Sequence, residues 1–389
     1  MSPCFIDLFA FFGILYMILK DRGVTMRICI LVDHYPLPPR IKKLKKSFES
    51  IDNYEVVIFA WNRQNEVVSE DDVYTYNQNI KIGNQMQKLL NLPKLFVSFK
   101  RLLDSQSFDL LVSIDYEMFL ICSLLKRDRK LIYEVYDIKF FANRWIDLFR
   151  RKSERWALKR KADGIIFASP FFQEYYKVNH IPFVTLNNKL SKEVFKNDDS
   201  EKMRKSLDED TLDRGWTIGF IGLIRYEEIL KNLLLACQQV KGVNVLLAGS
   251  GPQLESLQMF VVDHNMTNVS FTGRYELDDL ADLYAQCNVI WAAYPNKDEN
   301  VKYAISNKFF EAQVFRKPII VSENTYLAKW VEREHLGYVV DPYSQDCVID
   351  LIKTISEGSK EIKLSNECLF WEDEQDELYR LLEAMGVQQ

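Results

Sequence analysis

From Met26 onward the chain alternates short apolar runs with longer stretches whose apolar residues recur every three or four positions. The runs read as strands buried on both faces of a parallel sheet, the stretches as helices laid over them. Predicted strands in the first half are Arg27–Val32, Glu55–Ala60, Leu110–Ile114, Lys130–Glu134, Gly164–Ala168 and Phe183–Leu186, with basic and amphipathic helices between several of them. Residues 195–215, FKNDDSEKMRKSLDEDTLDRG, are charged and almost devoid of core residues, and read as a linker or a solvated helix at its edge. A second alternation then runs Trp216–Gly222, helix 226–240, Val243–Ala248, helix 252–264, Val269–Thr272, helix 277–286, Val289–Ala293, helix 307–315 and Pro318–Val321. Tyr338–Val340 and a helix over 344–357 complete it. The predicted architecture is two consecutive doubly wound α/β domains, with a cleft between them where strand C-termini face each other. Its segments are 1–25 (apolar extension or anchor), 26–194 (first domain), 195–215 (linker), 216–360 (second domain) and 361–389 (tail). Within the tail, Trp371–Met385 reads as an amphipathic helix packed on a domain surface.

Length and composition agree with this picture. A chain of 389 residues suits two domains, and 48% hydrophobic with 27% charged residues is globular. A net charge of −5 argues against broad nucleic-acid binding, which needs a dominant basic face, although the N-terminal half holds the basic runs. The seven cysteines (Cys4, Cys29, Cys122, Cys237, Cys287, Cys347, Cys368) are scattered, odd in number and never CxxC. That is the pattern of reduced thiols in a cytosolic protein, with no metal spacing. Residues 4–19, CFIDLFAFFGILYMIL, are apolar but broken by Asp7, and the run is shorter than the roughly 20 residues of a spanning helix. It has neither the basic start nor the cleavage site of a signal peptide. Three readings are open: a membrane-surface anchor, a marginal single span, or an extension ahead of a start at Met26. The last is favoured, because MRICILV at 26–32 reads as a first strand.

The densest chemistry lies at 306–322, SNKFFEAQVFRKPIIVS: a loop, a short helix carrying Glu311, then a buried strand. A helix N-terminus offers unpaired N–H groups and partial positive charge to a diphosphate. Glu311, about a turn in, is placed to accept hydrogen bonds from ribose hydroxyls. Four further segments of the second half join it in order: TIGFIGLIR (217–225), VLLAGSGP (245–252), VSFTGRYELDDLADLYAQCNV (269–289) and FWEDEQDELYRLL (370–382). The first half adds LIYEVYDI (131–138) and ADGIIFASPFFQEYY (162–176). Together they resemble GT-B glycosyltransferases, and the second domain is most similar to the donor domain of glycosyltransferase family 4, of the capsular and exopolysaccharide type.

The resemblance implies two Rossmann-like domains facing a cleft and a sugar nucleotide held by the second. Glu311 matches the second glutamate of the family's paired-glutamate motif, which binds the donor ribose. Tyr303 stands where the first glutamate would fall, near the transferred sugar; NK-x-x-E forms of the motif share that departure. Asn307, Lys308 and Phe309 would then supply backbone N–H groups to the diphosphate. Gly222 with Arg225 resembles the loop where relatives set a basic residue against the diphosphate, and Lys231 falls where a lysine partner is expected. A solvated lysine is the rival reading for Lys231. Gly249 and Gly251 in AGSGP read first as a tight strand-to-helix turn. Arg274 follows a strand where relatives recognise the base, with a surface arginine as the alternative.

In the first domain, Tyr136 replaces the histidine that relatives often carry before Asp137. Asp137 reads either as an acceptor contact and base or as a cap of the next segment. His34 follows the first strand, where ligands gather in α/β sheets. Arg40 would meet an acceptor phosphate, or simply begin a solvated helix. The basic stretches RIKKLKKSF (40–48) and RWIDLFRRKSERWALKRK (144–161) interleave cations with aromatic or aliphatic residues, as helices on anionic membranes do; solvated faces are the rival. The acidic strings EDD (70–72) and DED (208–210) are not read as metal-binding, so no metal and no cofactor beyond the donor is expected.

The resulting expectation is a retaining, metal-independent hexosyltransferase. It would move a sugar from a nucleotide-sugar to a lipid-linked surface-polysaccharide acceptor, in the cytoplasm and peripheral on the inner face of the cell membrane. The rivals are a catalytically silent GT-B partner and a nucleotide-sugar epimerase.

Overall fold

In the computed structural model, which describes residues 26–80, 85–141, 143–194, 215–358, 362 and 370–387, every paired strand runs parallel to its neighbour. The described residues form two units: one runs to Leu186 and resumes at Glu374, the other is Asn187–Asp373. The expected segment 1–25 and, apart from Gly215, the expected linker 195–215 lie outside the described residues. The division between units falls at Leu186, ahead of the expected boundary at 194.

In the first unit, β1 (Met26–Val32), β2 (Tyr54–Asn62), β3 (Val73–Asn77), β4 (Leu110–Ile114), β5 (Lys130–Val135), β6 (Gly164–Phe167) and β7 (Phe183–Thr185) form one sheet ordered β3-β2-β1-β4-β5-β6-β7. Its helices are α1 (Pro39–Glu49), α2 (Gln85–Ser105), α3 (Asp115–Leu125), α4 (Arg144–Lys161) and α5 (Phe172–Tyr176). β4 is buried at all five positions, the signature of a strand covered on both faces. Edge strand β3, VYTYN, was not among the expected strands; only Val73 of it is buried, so it lacks the apolar run that betrays its neighbours.

In the second unit, β8 (Trp216–Ile221), β9 (Val243–Ala248), β10 (Val269–Gly273), β11 (Val289–Ala292), β12 (Ile319–Ser322) and β13 (Gly337–Val340) are ordered β10-β9-β8-β11-β12-β13. Between them lie α6 (Glu227–Gln239), α7 (Leu254–Asp263), α8 (Leu280–Ala285), α9 (Glu299–Tyr303), α10 (Asn307–Val314), α11 (Tyr326–Glu334) and α12 (Gln345–Ser356). α6 buries Ile229, Leu230, Leu233, Leu234 and Cys237, a stripe at helical spacing, and shares one core with β8, β9 and α12. Ser306, Thr325 and Ser344 cap α10, α11 and α12 by accepting backbone hydrogen bonds. Both sheets have the doubly wound order, in which the chain leaves the central pair of strands in opposite directions.

The last helix, α13 (Gln375–Ala384), rejoins the first unit and packs against β7. Leu378, Leu381 and Leu382 are buried, and a Cβ at Gly164 would fall only 2.4 Å from Met385 Sδ. Leu381→Ala should therefore cost about 2–5 kcal/mol. Hydrogen exchange checks it: protection should fall in β6 and β7 and hold in β8 to β13.

Candidate active site

Strands β8 and β11 are the central neighbours of the second sheet, and the segments leaving their carboxyl ends turn to opposite sides. Such a point opens a crevice for ligands. Gly222 follows β8 with φ +140, a conformation that suits glycine. A Cβ there would stand 2.7 Å from Lys308 Nζ. Tyr294 follows β11, its carbonyl accepting a 2.5 Å hydrogen bond from Ser322 Oγ at the end of β12. Lys308, in the first turn of α10, is 7% exposed. Its ammonium donates to Tyr294 Oη at 2.9 Å and lies over the rings of Phe220 (4.5 Å) and Tyr294 (5.5 Å). Ser306 Oγ also donates to Tyr294 Oη (3.1 Å) and accepts from Lys308 N (3.3 Å). Among the described residues no carboxylate pairs with this ammonium. A buried charge so poorly matched is costly, and it lies where a helix N-terminus already carries positive potential.

Arg225 extends the same cluster. Its guanidinium lies 4.7 Å from the Tyr226 ring centre, and Tyr226 meets Tyr294 edge to face at 5.4 Å. Glu311, one turn into α10, accepts 2.7 Å from the hydroxyl of fully buried Tyr284. Burial first, then the Glu311 charge, pushes the Tyr284 and Tyr275 phenols up. Gly249 and Gly251 shape the neighbouring turn: Cβ atoms there would fall 2.0 Å from Gly222 O and 2.2 Å from Ile224 O. Gly222, Gly251 and the tip of α10 thus meet at the carboxyl ends of β8 and β11, and the Tyr226 ring links Arg225 to Tyr294 there.

Other expected donor residues lie elsewhere or do other work. Lys231 pairs with Glu227 at 2.7 Å and covers the Phe260 ring, so its charge is engaged on the α7 side. Arg274 is exposed, 3.9 Å from Glu276. Of the backbone N–H groups expected to face a diphosphate, Lys308 N donates to Ser306 Oγ (3.3 Å) and Phe309 N to Ser306 O (2.9 Å). The Asn307 side chain accepts from Asn188 Nδ2 (2.9 Å), and the Phe309 ring is buried against Phe310 and Trp330. Tyr303 stacks on Tyr326 at 5.2 Å. Tyr226, Tyr294, Tyr284 and Tyr275 were not singled out from sequence; each is an ordinary aromatic until the fold brings it to the crevice.

The first unit carries a different arrangement at the carboxyl ends of β1, β4 and β5. Asp33 is bonded by His34 Nδ1 at 2.6 Å and paired with Arg63 (2.8 Å) and Lys88 (3.3 Å). Glu117 holds Lys88 (3.0 Å) and Lys139 (2.9 Å), and Lys139 also meets Asp115 at 3.3 Å. Burial opposes the charge of Asp33, but the His34 hydrogen bond and the Lys139, Lys88 and Arg63 cations outweigh it and hold the carboxyl well below its usual range. Asp115 behaves oppositely: burial, against the pull of Lys139 and helped by Asp33, Asp137 and Glu117, raises it to about 6. Asp137 donates its backbone N–H to Asp115 Oδ1 at 3.4 Å. Tyr136 is half-buried beside it, its phenol pushed up by burial and the Asp137 charge.

Arg40 needs correction. It is 1% exposed, and its Nε donates to Glu134 Oε1 at 2.6 Å beneath the Tyr136 ring. Its guanidinium belongs to a buried ion pair, not to a surface waiting for an acceptor phosphate. In the EDD string, Glu70 accepts from Tyr35 and Asp72 pairs with Lys45; DED at 208–210 lies outside the described residues.

Residues 215–357 match the family model described as "Glycosyl transferases group 1". No curated protein matches the sequence. Among solved structures, the chain is similar to sucrose-phosphate synthase (tll1590) from Thermosynechococcus elongatus, at 16% identity over 93% of this chain and 97% of that one, with a TM-score of 0.65. Anabaena Alr3699/HepE in complex with UDP and glucose matches at 14% identity over 92% and 99%, TM-score 0.66. UDP-GlcNAc 2-epimerase from Methanocaldococcus jannaschii matches at 13% over 92% and 99%, TM-score 0.59. The fold is therefore the α/β GT-B fold of two Rossmann-like domains. Its second unit carries a glycosyl transferases group 1 domain.

Asp115 generates a pH test. Its folded pKa of about 6 lies above the ordinary 3.8, so its contribution to stability is fully present below pH 3.8 and lost as pH rises through about 6. Asp115→Asn, which tolerates the φ of +62 at this position, removes that loss. The variant should gain about 1–3 kcal/mol on wild type between pH 4 and pH 7, read by urea unfolding at both pH values. An unchanged difference would mean that Asp115 is ionised throughout.

Proposed function

We propose that the protein is a glycosyltransferase that takes a sugar from a nucleotide-sugar and passes it to a lipid-linked, surface-polysaccharide acceptor. The observation that carries the reading is the Lys308 ammonium, buried against Gly222 at the tip of α10 with only a phenol to bond it. A diphosphate there would give the ammonium the anion that the described residues do not supply. It would also lie at the positive end of the α10 dipole, beside Arg225. Glu311, oriented by Tyr284, binds the ribose hydroxyls. As the sugar leaves, negative charge grows on the diphosphate, and these fixed positive groups meet it without reorganisation. Lys308, Arg225 and the helix terminus do the work of a divalent ion, which supports metal-independent transfer. The Anabaena protein, solved with UDP and glucose on the same fold, supports the donor class.

On this reading the acceptor is held by the first unit. His34 sits at the end of β1 and Asp137 at the end of β5, with Asp115 between them in the strand order, and the acceptor hydroxyl loses its proton there. Retention of configuration, a cytoplasmic site and attachment to the inner membrane face follow from the resemblance to capsular enzymes. An epimerase reading has the shared fold of the archaeal epimerase behind it. A silent partner has Tyr303, stacked on Tyr326 where relatives carry glutamate.

One experiment separates them: nucleotide release from a panel of sugar nucleotides, with and without membrane lipid. Transfer predicts release that rises with lipid acceptor; epimerisation predicts a new sugar nucleotide with no acceptor; a silent partner binds without turnover. Lys308→Met should weaken nucleoside diphosphate binding about 10- to 100-fold, the worth of one charge-assisted contact, and leave the free nucleoside unaffected. Because it removes a poorly matched buried charge, the ligand-free variant should melt no lower than wild type. A lower melting point with unchanged affinity would make Lys308 a structural residue.

A further inference from the structure

Two basic helices of the first unit look alike in sequence and differ in what they expose. α1 buries Arg40, Ile41, Leu44, Ser47 and Phe48, and its outward residues are polar. α4 is inverted. Its buried face carries Ala157 and Leu158 in the later turns and, ahead of them, Arg150 and Glu154, joined at 2.6 Å and closed by the hydroxyls of Tyr133 (2.7 Å) and Tyr176 (2.8 Å) on Glu154. Its first two turns instead turn apolar residues outward: Trp145 is 77% and Phe149 68% exposed, with Ile146 and Leu148 beside them. Lys152, Arg155, Lys159 and Arg160 continue that outward side toward the C-terminus, around half-exposed Trp156.

Two further observations point to the occupant. A cavity of about 370 Å³ opens along α4; Arg151, Arg155, Lys159, Lys177 and His180 line it, outnumbering its one carboxylate, Glu154, which Arg150 holds. It is basic and concave, suited to a phosphate headgroup. The second concerns α2, whose start exposes Met86, Leu89 and Leu90. Lys88 of α2 and Lys139, just ahead of α4, grip the same Glu117, so both apolar helix starts border the charged edge of β1, β4 and β5. Apolar anchors flanked by cations match an anionic bilayer, where aromatic rings insert and cations meet headgroups.

We propose that the outward face of α4, with the start of α2 beside it, is the surface by which the protein lies on an anionic lipid bilayer. Trp145, Ile146 and Phe149 enter the headgroup boundary, and the basic cavity seats a lipid phosphate. This rests on the lipid-acceptor reading for its purpose and on the exposed face alone for its evidence. It assigns membrane contact to 144–161 and withdraws it from 40–48.

The test is flotation of the full chain with vesicles of phosphatidylcholine, alone or mixed with phosphatidylglycerol. Wild type should float with the mixed vesicles and release at high salt. Trp145→Ser/Phe149→Ser should weaken binding roughly tenfold or more by removing two inserted rings. Arg155→Glu/Lys159→Glu should do likewise, whereas Lys42→Ala/Lys46→Ala on α1 should float as wild type does. Wild type staying down with the mixed vesicles, or both α4 variants floating undiminished, overturns the proposal. So does self-association that the same variants abolish, which would give the face to a second copy of the chain. Nucleotide release measured with and without acceptor lipid on the same preparations keeps the two readings apart: its absence under both conditions with flotation intact sinks the transferase and leaves this surface standing.

Discussion

A lysine ammonium removed from water with no carboxylate among the described residues to meet it is the constraint around which the second unit is arranged. Several other cations that lose solvent face an anion: Arg40 has Glu134, Arg150 has Glu154, and Lys88 and Lys139 share Asp33, Asp115 and Glu117. Lys308 has a phenol and two ring faces. Those contacts recover part of the lost hydration, and the dipole at the N-terminus of α10 adds potential of the same sign. The fold tolerates the strain because Phe309, Phe310 and Ala312 bury α10 firmly and Ser322 fixes Tyr294 from the next strand. What remains is a preformed seat for an anion.

The two sheets share one winding and use their carboxyl edges differently. In the second, the edge is glycine-shaped and cationic: Gly222, Gly249 and Gly251 bring backbone close where side chains would collide. In the first, acids and bases interlock, and carboxylates of one charge network are driven in opposite directions, Asp33 toward ionisation and Asp115 toward protonation. The first edge is chemistry suited to holding hydroxyls and passing a proton; the second is suited to holding a leaving group.

Much of this was legible in the sequence, for physical reasons that also explain what was not. Doubly buried strands announce themselves as apolar runs, so β1, β4, β8 and β9 could be read directly, whereas the half-exposed β3 could not. The helix tip at 306–311 was readable because capping, glycine placement and a lone acid are local signals. The side-chain part of Lys308 was not, since burial of an ammonium depends on Gly222 and Tyr294, distant in sequence. Arg40 was misread from its charged surroundings, although its phase with Leu44 and Phe48 places it on the buried stripe. Asp33 and Asp115 were passed over, yet each follows its predicted strand by one residue, which was signal enough to group them with Asp137. The return of α13 to the first unit is a long-range packing fact that no local pattern carries.

The central claim is that a diphosphate supplies the counter-charge for Lys308. A crystal structure of the full chain soaked with a nucleoside diphosphate tests it most directly. A phosphate oxygen should lie about 2.7–2.9 Å from Lys308 Nζ at the tip of α10, with the ribose on Glu311. A nucleotide bound with its phosphates away from the tip of α10, and Lys308 still bonded to Tyr294 alone, would contradict it.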